Sequence, residues 1–338
     1  MDHKQHPLGS GFTAASTARE VLAGIDLSGT HAVVTGGHSG LGLETTRALG
    51  EAGVSVTVGS RDPDGAAAAL AGIEGAEVSR LDLLDPSSID AFVARYLESG
   101  RPLHILVNNA GLPLGDGPVR DARGYESQFA TNHLGHFQLT LGLLPALRAA
   151  HGARVVNVSS GGHRLSGIRW DDPHFTTGYD HYLAYGQSKT ANVLFAVELD
   201  RRWAQDGVRG YAVHPGVVVG TKLNSSVGEE QQRAMGLLDQ SGRPIVDPDR
   251  GLKSPQQGAA TIVFAAASPL LAEIGGVYLK DNDISPLDKD PAPLTFGTEQ
   301  DPPSDVVPHA IDPRSAQRLW EVSEELIRMG RVCVTLSR

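Results

Sequence analysis

A phenol and an ammonium group stand one helical turn apart in Tyr185-Gly-Gln-Ser-Lys189. Residues at i and i+4 share a helix face, so the spacing presents both side chains to the same partner. Tyrosine ordinarily ionises near pH ~10, and a neighbouring cation favours the phenolate. The pair is therefore suited to exchanging a proton with a bound oxygen near neutral pH. A second feature lies far upstream, in Thr35-Gly36-Gly37-His38-Ser39-Gly40-Leu41-Gly42, directly after an apolar β-branched run. Glycines let backbone N–H groups approach phosphate oxygens, and a helix opening there offers its positive end. The spacing is Gly36-x-x-x-Gly40-x-Gly42, with His38, Ser39 and Leu41 interleaved. A phosphate cradle upstream of a proton-handling pair predicts an enzyme that uses a nicotinamide dinucleotide.

Which dinucleotide is read further on. An acid about twenty residues past the glycines holds the ribose 2′-hydroxyl of NAD, and an arginine there suits the 2′-phosphate of NADP. Here the stretch is Gly59-Ser60-Arg61-Asp62. Arg61, with Ser39 adding a hydroxyl, predicts NADP(H) over NAD(H), and Asp62 is the competing signal.

Elements able to position these groups alternate along the chain. Strand-like runs are His31–Thr35, Val54–Val58, Ala76–Leu81, Leu103–Val107, Arg154–Val158, Arg209–Val213 and Gly276–Leu279. Helical spacing occupies Leu41–Ala52, Ser87–Ser99, Tyr125–Ala150, Ala184–Gln205 and Pro255–Ala267. Strands fed by helices and buried on both faces predict an α/β fold, a single doubly wound domain with a parallel seven-stranded sheet. We expect an N-terminal extension over 1–26, polar, glycine-rich and mobile at its start, the catalytic domain over 27–284, and a C-terminal loop and helix over 285–338. Within the last part, Ser285–Pro308 reads as an extended surface loop and Pro313–Met329 as a helix.

Composition excludes several classes. The 338 residues are 40% hydrophobic and carry a formal charge of −10, which disfavours nucleic acid and anionic membrane as partners. The one cysteine, Cys333, suits a reducing cytoplasm. No run of about eighteen apolar residues predicts a membrane span. The thirteen histidines are scattered, so no metal site is expected.

Further motifs occur in a fixed order: Leu81-Asp82-Leu83, Asn108-Asn109-Ala110-Gly111, Asn132-His133-Leu134-Gly135-His136-Phe137, Val156-Asn157-Val158-Ser159-Ser160 and His214-Pro215-Gly216. With the glycine cluster and Tyr185-x-x-x-Lys189, they make the chain, over about residues 27–280, resemble the short-chain dehydrogenase/reductase family. Arg61, the Asn132–Phe137 run and the long spacer between Ser160 and Tyr185 are similar to its retinol-dehydrogenase-like branch. The resemblance implies a Rossmann-type fold and a set of roles. Tyr185 is the general acid in ketone reduction and the base in alcohol oxidation. Lys189 lowers its pKa and bonds the nicotinamide ribose, Ser160 polarises the substrate oxygen, and Asn132 holds a water that links Lys189 to solvent. Asp82 and Leu83 meet the adenine, and Asn109, Ala110 and Gly111 the adenosine ribose, while Asn108 stabilises the sheet end. Pro215, Gly216 and Val217 flank the nicotinamide. Gly220 stands where the family pattern has a threonine, with Thr221 one place later.

Segments 161–184 and 221–254 are expected to wall the substrate site, the second as a lid. Their apolar members are Ile168, Trp170, Phe175, Tyr179, Leu223, Met235, Leu237 and Leu238, and they suggest a lipophilic carbonyl compound or alcohol, with a secondary metabolite left open. His163 and Tyr182 are read as packing or wall residues. Three activities stay open: a ketone or aldehyde reductase working also as an alcohol dehydrogenase, a redox-neutral epimerase on the same Tyr/Lys pair, and a non-catalytic nicotinamide-binding sensor. The resemblance also leaves open a homodimer or homotetramer pairing through the helix that carries Tyr185.

Overall fold

The computed structural model describes residues 4–112, 117–218, 228–292, 294 and 303–336. Its centre is an eight-stranded sheet in the order β10-β9-β6-β5-β4-β1-β2-β3. The strands are β1 His31–Thr35, β2 Ser55–Ser60, β3 Ala76–Arg80, β4 Ile105–Asn108, β5 Ala153–Val158, β6 Val208–His214, β7 Val217–Val218, β8 Leu252–Lys253, β9 Val277–Lys280 and β10 Asp283–Ile284. Strands β7 and β8 pair with each other outside this sheet. The seven expected strands are present and mutually parallel, with ends shifted by up to two residues.

The eighth strand, β10, is antiparallel to β9. Asp281 and Asn282 connect the two with φ of 50° and 65°. Positive φ at both central residues is what a tight hairpin needs, and Asn and Asp tolerate it. No Asn-Gly or Gly-Gly pair marks this turn, which leaves β10 without a local sequence signal.

Helices cover both faces. Gly40–Glu51 and Pro255–Ala267 lie on one side, packed with Val34, Val56, Val107 and Val213 in one apolar core. On the other side Pro86–Glu98, the helical segment 127–149 and His181–Trp203 enclose Phe92, Phe137, Leu143 and Phe195. The N-terminal extension departs from expectation. Its helix is only Ala18–Leu22, and its start is fastened to the sheet edge. The Gln5 side-chain amide donates to the carbonyls of Tyr278 and Ser285 and accepts from the Tyr278 N–H, tying this segment to β9. The Asp283 carboxylate accepts the N–H groups of Leu8, Gly9 and Ser10.

The C-terminal helix Pro313–Leu336 is longer than expected and lies against the helix His181–Trp203. Trp320 meets Phe137, Phe195 and Trp203 with ring centroids 4.9–5.8 Å apart. No helix among the described residues is long and apolar enough to cross a membrane.

Candidate active site

Every parallel strand of the sheet directs its C-terminal end toward one edge, and loops there form a cleft of about 550 Å³. Clefts beyond the carboxyl ends of parallel strands are where doubly wound folds bind ligands. Along one side lie Gly36, His38, Ser39, Gly40, Leu41 and Gly42. A side chain on Gly42 would stand 2.4 Å from the Gly36 carbonyl and 2.6 Å from Asn109 Nδ2, so only glycine permits this approach. Gly36 and Gly40 have φ of 64° and 52°, which glycine adopts without penalty. Ser39 starts the helix Gly40–Glu51 without spending its hydroxyl on a cap.

Arg61 also lines the cleft. Asp62, the competing signal, is used elsewhere: its Oδ1 accepts the Gly65 N–H at 3.1 Å and caps the helix Pro63–Ala69. The same wall continues through Asp82 and Leu83, then Asn109, Ala110 and Gly111. Asn109 Nδ2 donates to the Thr35 carbonyl (2.9 Å), while Asn108 bridges Thr140 and Asn157 inside the sheet. The residues present thus fit a dinucleotide: a backbone cradle that a Cβ would fill, a cation at one end and small residues between.

The Asn132–Phe137 run becomes intelligible here. It straddles the π-helix Ala130–Gly135, an i→i+5 irregularity inside the segment read as plain helix. Gly135 allows close approach, since a Cβ there would lie 2.4 Å from the Leu83 carbonyl. His136 Nδ1 donates to the Asn132 carbonyl (3.0 Å), so its Nε2 accepts the Thr35 hydroxyl proton (2.8 Å). Thr35 Oγ1 in turn accepts the N–H groups of Asn109 and Ala110, both at 2.9 Å. Burial holds His136 down at about 4, with Lys189 adding to the effect, so it stays neutral in this network. His133 reaches Ser323 of the terminal helix at 2.8 Å. Neither the π-helix nor these cross-links had a periodic signal to betray them.

On the opposite side, β5 ends at Val158 and delivers two serines to different tasks. Ser159 donates to the Lys189 carbonyl (2.8 Å) and is buried. Ser160 lines the cleft, accepts the Gly162 N–H (3.0 Å) and hydrogen-bonds the Tyr185 phenol. The helix His181–Trp203, capped by Asp180, brings Tyr185 and Lys189 to the same place. Lys189 Nζ lies 5.5 Å from the Tyr185 ring centre and donates to the Val158 carbonyl at 3.2 Å. Asn132 stands behind the cleft wall. A Cβ on Gly111 would lie 3.4 Å from Asn132 Oδ1 and 3.9 Å from Lys189 Nζ. The Asn132 side chain also accepts from Leu112 N and donates to Gln128 and Ser188.

Burial dominates the electrostatics of the pair in the cofactor-free protein. Burial pushes the Tyr185 phenol above its ordinary value, and the Ser160 hydrogen bond only partly opposes it. Burial likewise lowers the Lys189 pKa, to about 8, because desolvation disfavours charge on both groups.

The substrate side also differs from the sequence reading. Ile168 and Trp170 pack under the terminal helix with Ala316, Leu319 and Leu326. Phe175 is buried against Tyr179. Met235, Leu237 and Leu238 form a separate small core with Leu252. None of these lines the cleft. Leu223 and Thr221 lie outside the described residues. His163 is fully buried and donates from Nδ1 to the Ser160 carbonyl, and Tyr182 is likewise absent from the walls. The walls come instead from Leu112, Val158, His214, Val218, Leu294, Pro303 and Ser304, with Pro215, Gly216 and Val217 on the cofactor side. The last three of the first group belong to the segment read as a surface loop. That segment is pinned because Arg164, buried just after Ser160, donates to the Asp305 carbonyl (2.8 Å) and to Asp288 (2.6 Å).

A glycine cradle and a Ser–Tyr–Lys grouping on one doubly wound sheet define a dinucleotide-dependent oxidoreductase. The chain belongs to the short-chain dehydrogenase/reductase family: the family model described as short chain dehydrogenase matches residues 30–232. It is similar to a Streptomyces lividans protein named "Probable oxidoreductase", 45% identical over 90% of this chain and 100% of the relative. Retinol dehydrogenase 12 of Mus musculus is 34% identical over 94% of each chain, which puts the protein in the retinol-dehydrogenase-like branch. Among solved structures, actinorhodin polyketide ketoreductase with NADPH matches with a TM-score of 0.58 and 27% identity, covering 74% of this chain and 95% of that one. The protein is accordingly an NAD(P)-dependent enzyme of this family acting on a small molecule.

Proposed function

We propose that the enzyme interconverts a ketone or aldehyde and the corresponding alcohol on a lipophilic substrate, with NADP(H) preferred over NAD(H). The observation that carries this reading is the convergence of Ser160, Tyr185 and Lys189 at one end of a cleft whose other end holds Arg61. The preference for NADP(H) rests on Arg61 lining the cleft while Asp62 is spent as a helix cap. The NADPH bound by the polyketide ketoreductase is in keeping with it. In this reading residues 27–284 are the catalytic domain, with 1–26 and 285–338 as additions packed on it. The enzyme works in the cytoplasm, in keeping with its single cysteine.

The cofactor would be held by Gly36, His38, Ser39, Gly40, Leu41, Gly42 and Arg61 at its phosphates. Asp82, Leu83, Asn109, Ala110 and Gly111 would flank its adenosine, and Pro215, Gly216, Val217 and Thr221 its nicotinamide. When bound, the nicotinamide supplies or accepts the hydride and, oxidised, brings a positive charge. Ser160 donates a hydrogen bond to the substrate oxygen, polarising the carbonyl. Tyr185 gives that oxygen a proton in reduction and removes it in oxidation. Lys189, 5.5 Å from the phenol ring centre, stabilises the phenolate left behind and bonds the ribose hydroxyls. Asn132 holds the water through which Lys189 and Tyr185 recover a proton.

The test is a panel of apolar ketones and aldehydes incubated with NADPH or NADH and followed at the nicotinamide absorbance band. Stoichiometric NADPH consumption with alcohol formation is expected. Product inversion without net absorbance change would establish the epimerase instead, and tight cofactor binding with no product of either kind would establish a sensor.

A further inference from the structure

His214 closes β6 and lines the cleft beside Gly161, Pro303 and Ser304. The Gly161 N–H points at its Nδ1 at 3.1 Å. A backbone N–H can only donate, so Nδ1 is the acceptor and the ring proton sits on Nε2. That nitrogen stands 3.7 Å from where a Gly161 side chain would begin, a position itself 3.6 Å from the Pro303 carbonyl, and it has no hydrogen-bond partner among the described residues. Gly161 directly follows Ser160. The donor therefore opens on the substrate end of the cleft, one residue from the proposed carbonyl-polarising hydroxyl.

Ser304 is a second donor on this wall. Its Oγ accepts from Lys280 Nζ at 3.4 Å, leaving the hydroxyl proton free to turn into the cleft. Positive charge behind the wall is neutralised pair by pair. Lys253, fully buried, binds Asp281 at 2.6 Å, and Lys280 binds Asp305 at 2.5 Å. Burial, with Lys253 nearby, holds the His214 ring neutral, down at about 3. The wall thus offers uncharged donors and no free cation among the described residues, a match for a neutral oxygen and a poor one for a carboxylate.

We propose that His214, assisted by Ser304, binds a second oxygen of the substrate, so that the preferred carbonyl compounds carry a further carbonyl or hydroxyl group beyond the reacting one. This inference rests on the oxidoreductase reading of the same cleft. A site built to hydrogen-bond an oxygen discriminates against the analogue that lacks it, because its own donor is then buried without a partner.

The experiment compares ketones matched in carbon skeleton, with and without a second carbonyl or hydroxyl at increasing distance from the reacting carbon. Wild type, His214→Phe and His214→Gln are assayed with NADPH. Glutamine can accept from Gly161 with Oε1 and donate with Nε2, reproducing both ring functions. For the best two-oxygen substrate, His214→Phe should lower kcat/KM about tenfold or more, mainly through KM, and His214→Gln should recover most of it. The single-oxygen ketone should lose only what the missing Gly161 acceptor costs both substrates, so the ratio of the two kcat/KM values should fall about tenfold. Equal losses on both substrates, or no recovery with glutamine, would overturn the proposal and leave His214 a support for the Gly161 loop. Calorimetric titration of the same ligands into the NADP+-loaded protein separates the two levels of failure. If no compound is turned over, yet the two-oxygen ligand binds more tightly and His214→Phe erases the difference, the donor stands and the reductase reading falls. If wild type shows no such difference, the donor itself is wrong.

Discussion

The two ends of the cleft are built by different means. The cofactor end is made of backbone: glycines whose substitution would drive a Cβ to 2.4–2.6 Å of neighbouring atoms, anchored by Thr35, Asn109 and His136 through bonds of 2.8–2.9 Å. The substrate end is made of side chains from residues far apart, Ser160, Tyr185, His214 and Ser304, held by ion pairs and a pinned C-terminal segment. Backbone geometry tolerates almost no change, whereas a side-chain wall can be rebuilt one residue at a time. A single scaffold can thereby keep one cofactor and vary the molecule it acts on.

The largest effect expected falls at the junction of the two ends. Tyr185→Phe removes the proton donor without touching the cradle. Turnover should fall by roughly 10³-fold, within the range a positioned acid–base group contributes, with NADPH affinity unchanged in a fluorescence titration. Full turnover in this variant would end the acid–base assignment.

Gly42→Ala probes the other end. The added methyl meets the Gly36 carbonyl and Asn109, both fixed in the sheet end, so the cradle must open. NADPH affinity should drop on the order of 100-fold, and because the clash is with protein atoms the cofactor-free thermal midpoint should fall by several degrees, as an overpacking cost of about 1–3 kcal/mol implies. An unchanged dissociation constant would show that the cradle is not where the phosphates sit.

Lys189 joins the two ends and should reveal what function costs in stability. Its pKa is about 8 in the folded protein against 10.5 ordinarily, so between these values the unfolded chain binds more protons. Stability should therefore rise as pH climbs from about 8 toward 10.5, and below pH 8 the buried ammonium costs on the order of 3 kcal/mol. Lys189→Met should raise the melting temperature of the cofactor-free protein at pH 7, flatten that alkaline rise, and abolish turnover. A melting temperature that fell at pH 7 would mean the ammonium is net stabilising where it stands.

The same contrast explains what could be read from sequence alone. The parallel strands and the cradle were legible because each rests on a local signal: β-branched runs, and glycines at positions where backbone meets backbone. The Tyr185–Lys189 pair was legible because helical spacing is local too. The walls were not. Ile168, Trp170 and Leu237 are as apolar as any pocket residue, yet they pack under the terminal helix or in a separate small core with Leu252. Pro303 and Ser304 are held at the cleft by contacts that no periodicity encodes, among them the Arg164 clamp across more than a hundred residues and the Lys280–Asp305 pair. Gln5 and Asp283, which fasten the N-terminus, are likewise paired only by the fold.

Arg61 should give the smallest and most selective effect, because it is exposed and in the proposed reading would meet only one end of the cofactor. A charge-assisted hydrogen bond to phosphate contributes roughly 1.5–3 kcal/mol, so Arg61→Ala should weaken NADPH binding by about 10- to 100-fold. NADH affinity should stay within about twofold, since that cofactor carries no 2′-phosphate. The difference should shrink as ionic strength rises, as solvent-facing charge pairs are screened. Restoring an acid alone should not convert the enzyme to NAD, because Asp62 already stands next door and is held by the Gly65 N–H. Arg61→Ala combined with Gly65→Pro, which deletes that N–H, frees the Asp62 carboxylate to meet a ribose 2′-hydroxyl. A gain in NADH affinity in the double variant and none in Arg61→Ala alone would show that cofactor choice lies in how the helix cap is spent, whereas equal weakening of both cofactors by Arg61→Ala would remove the phosphate from this end of the cleft.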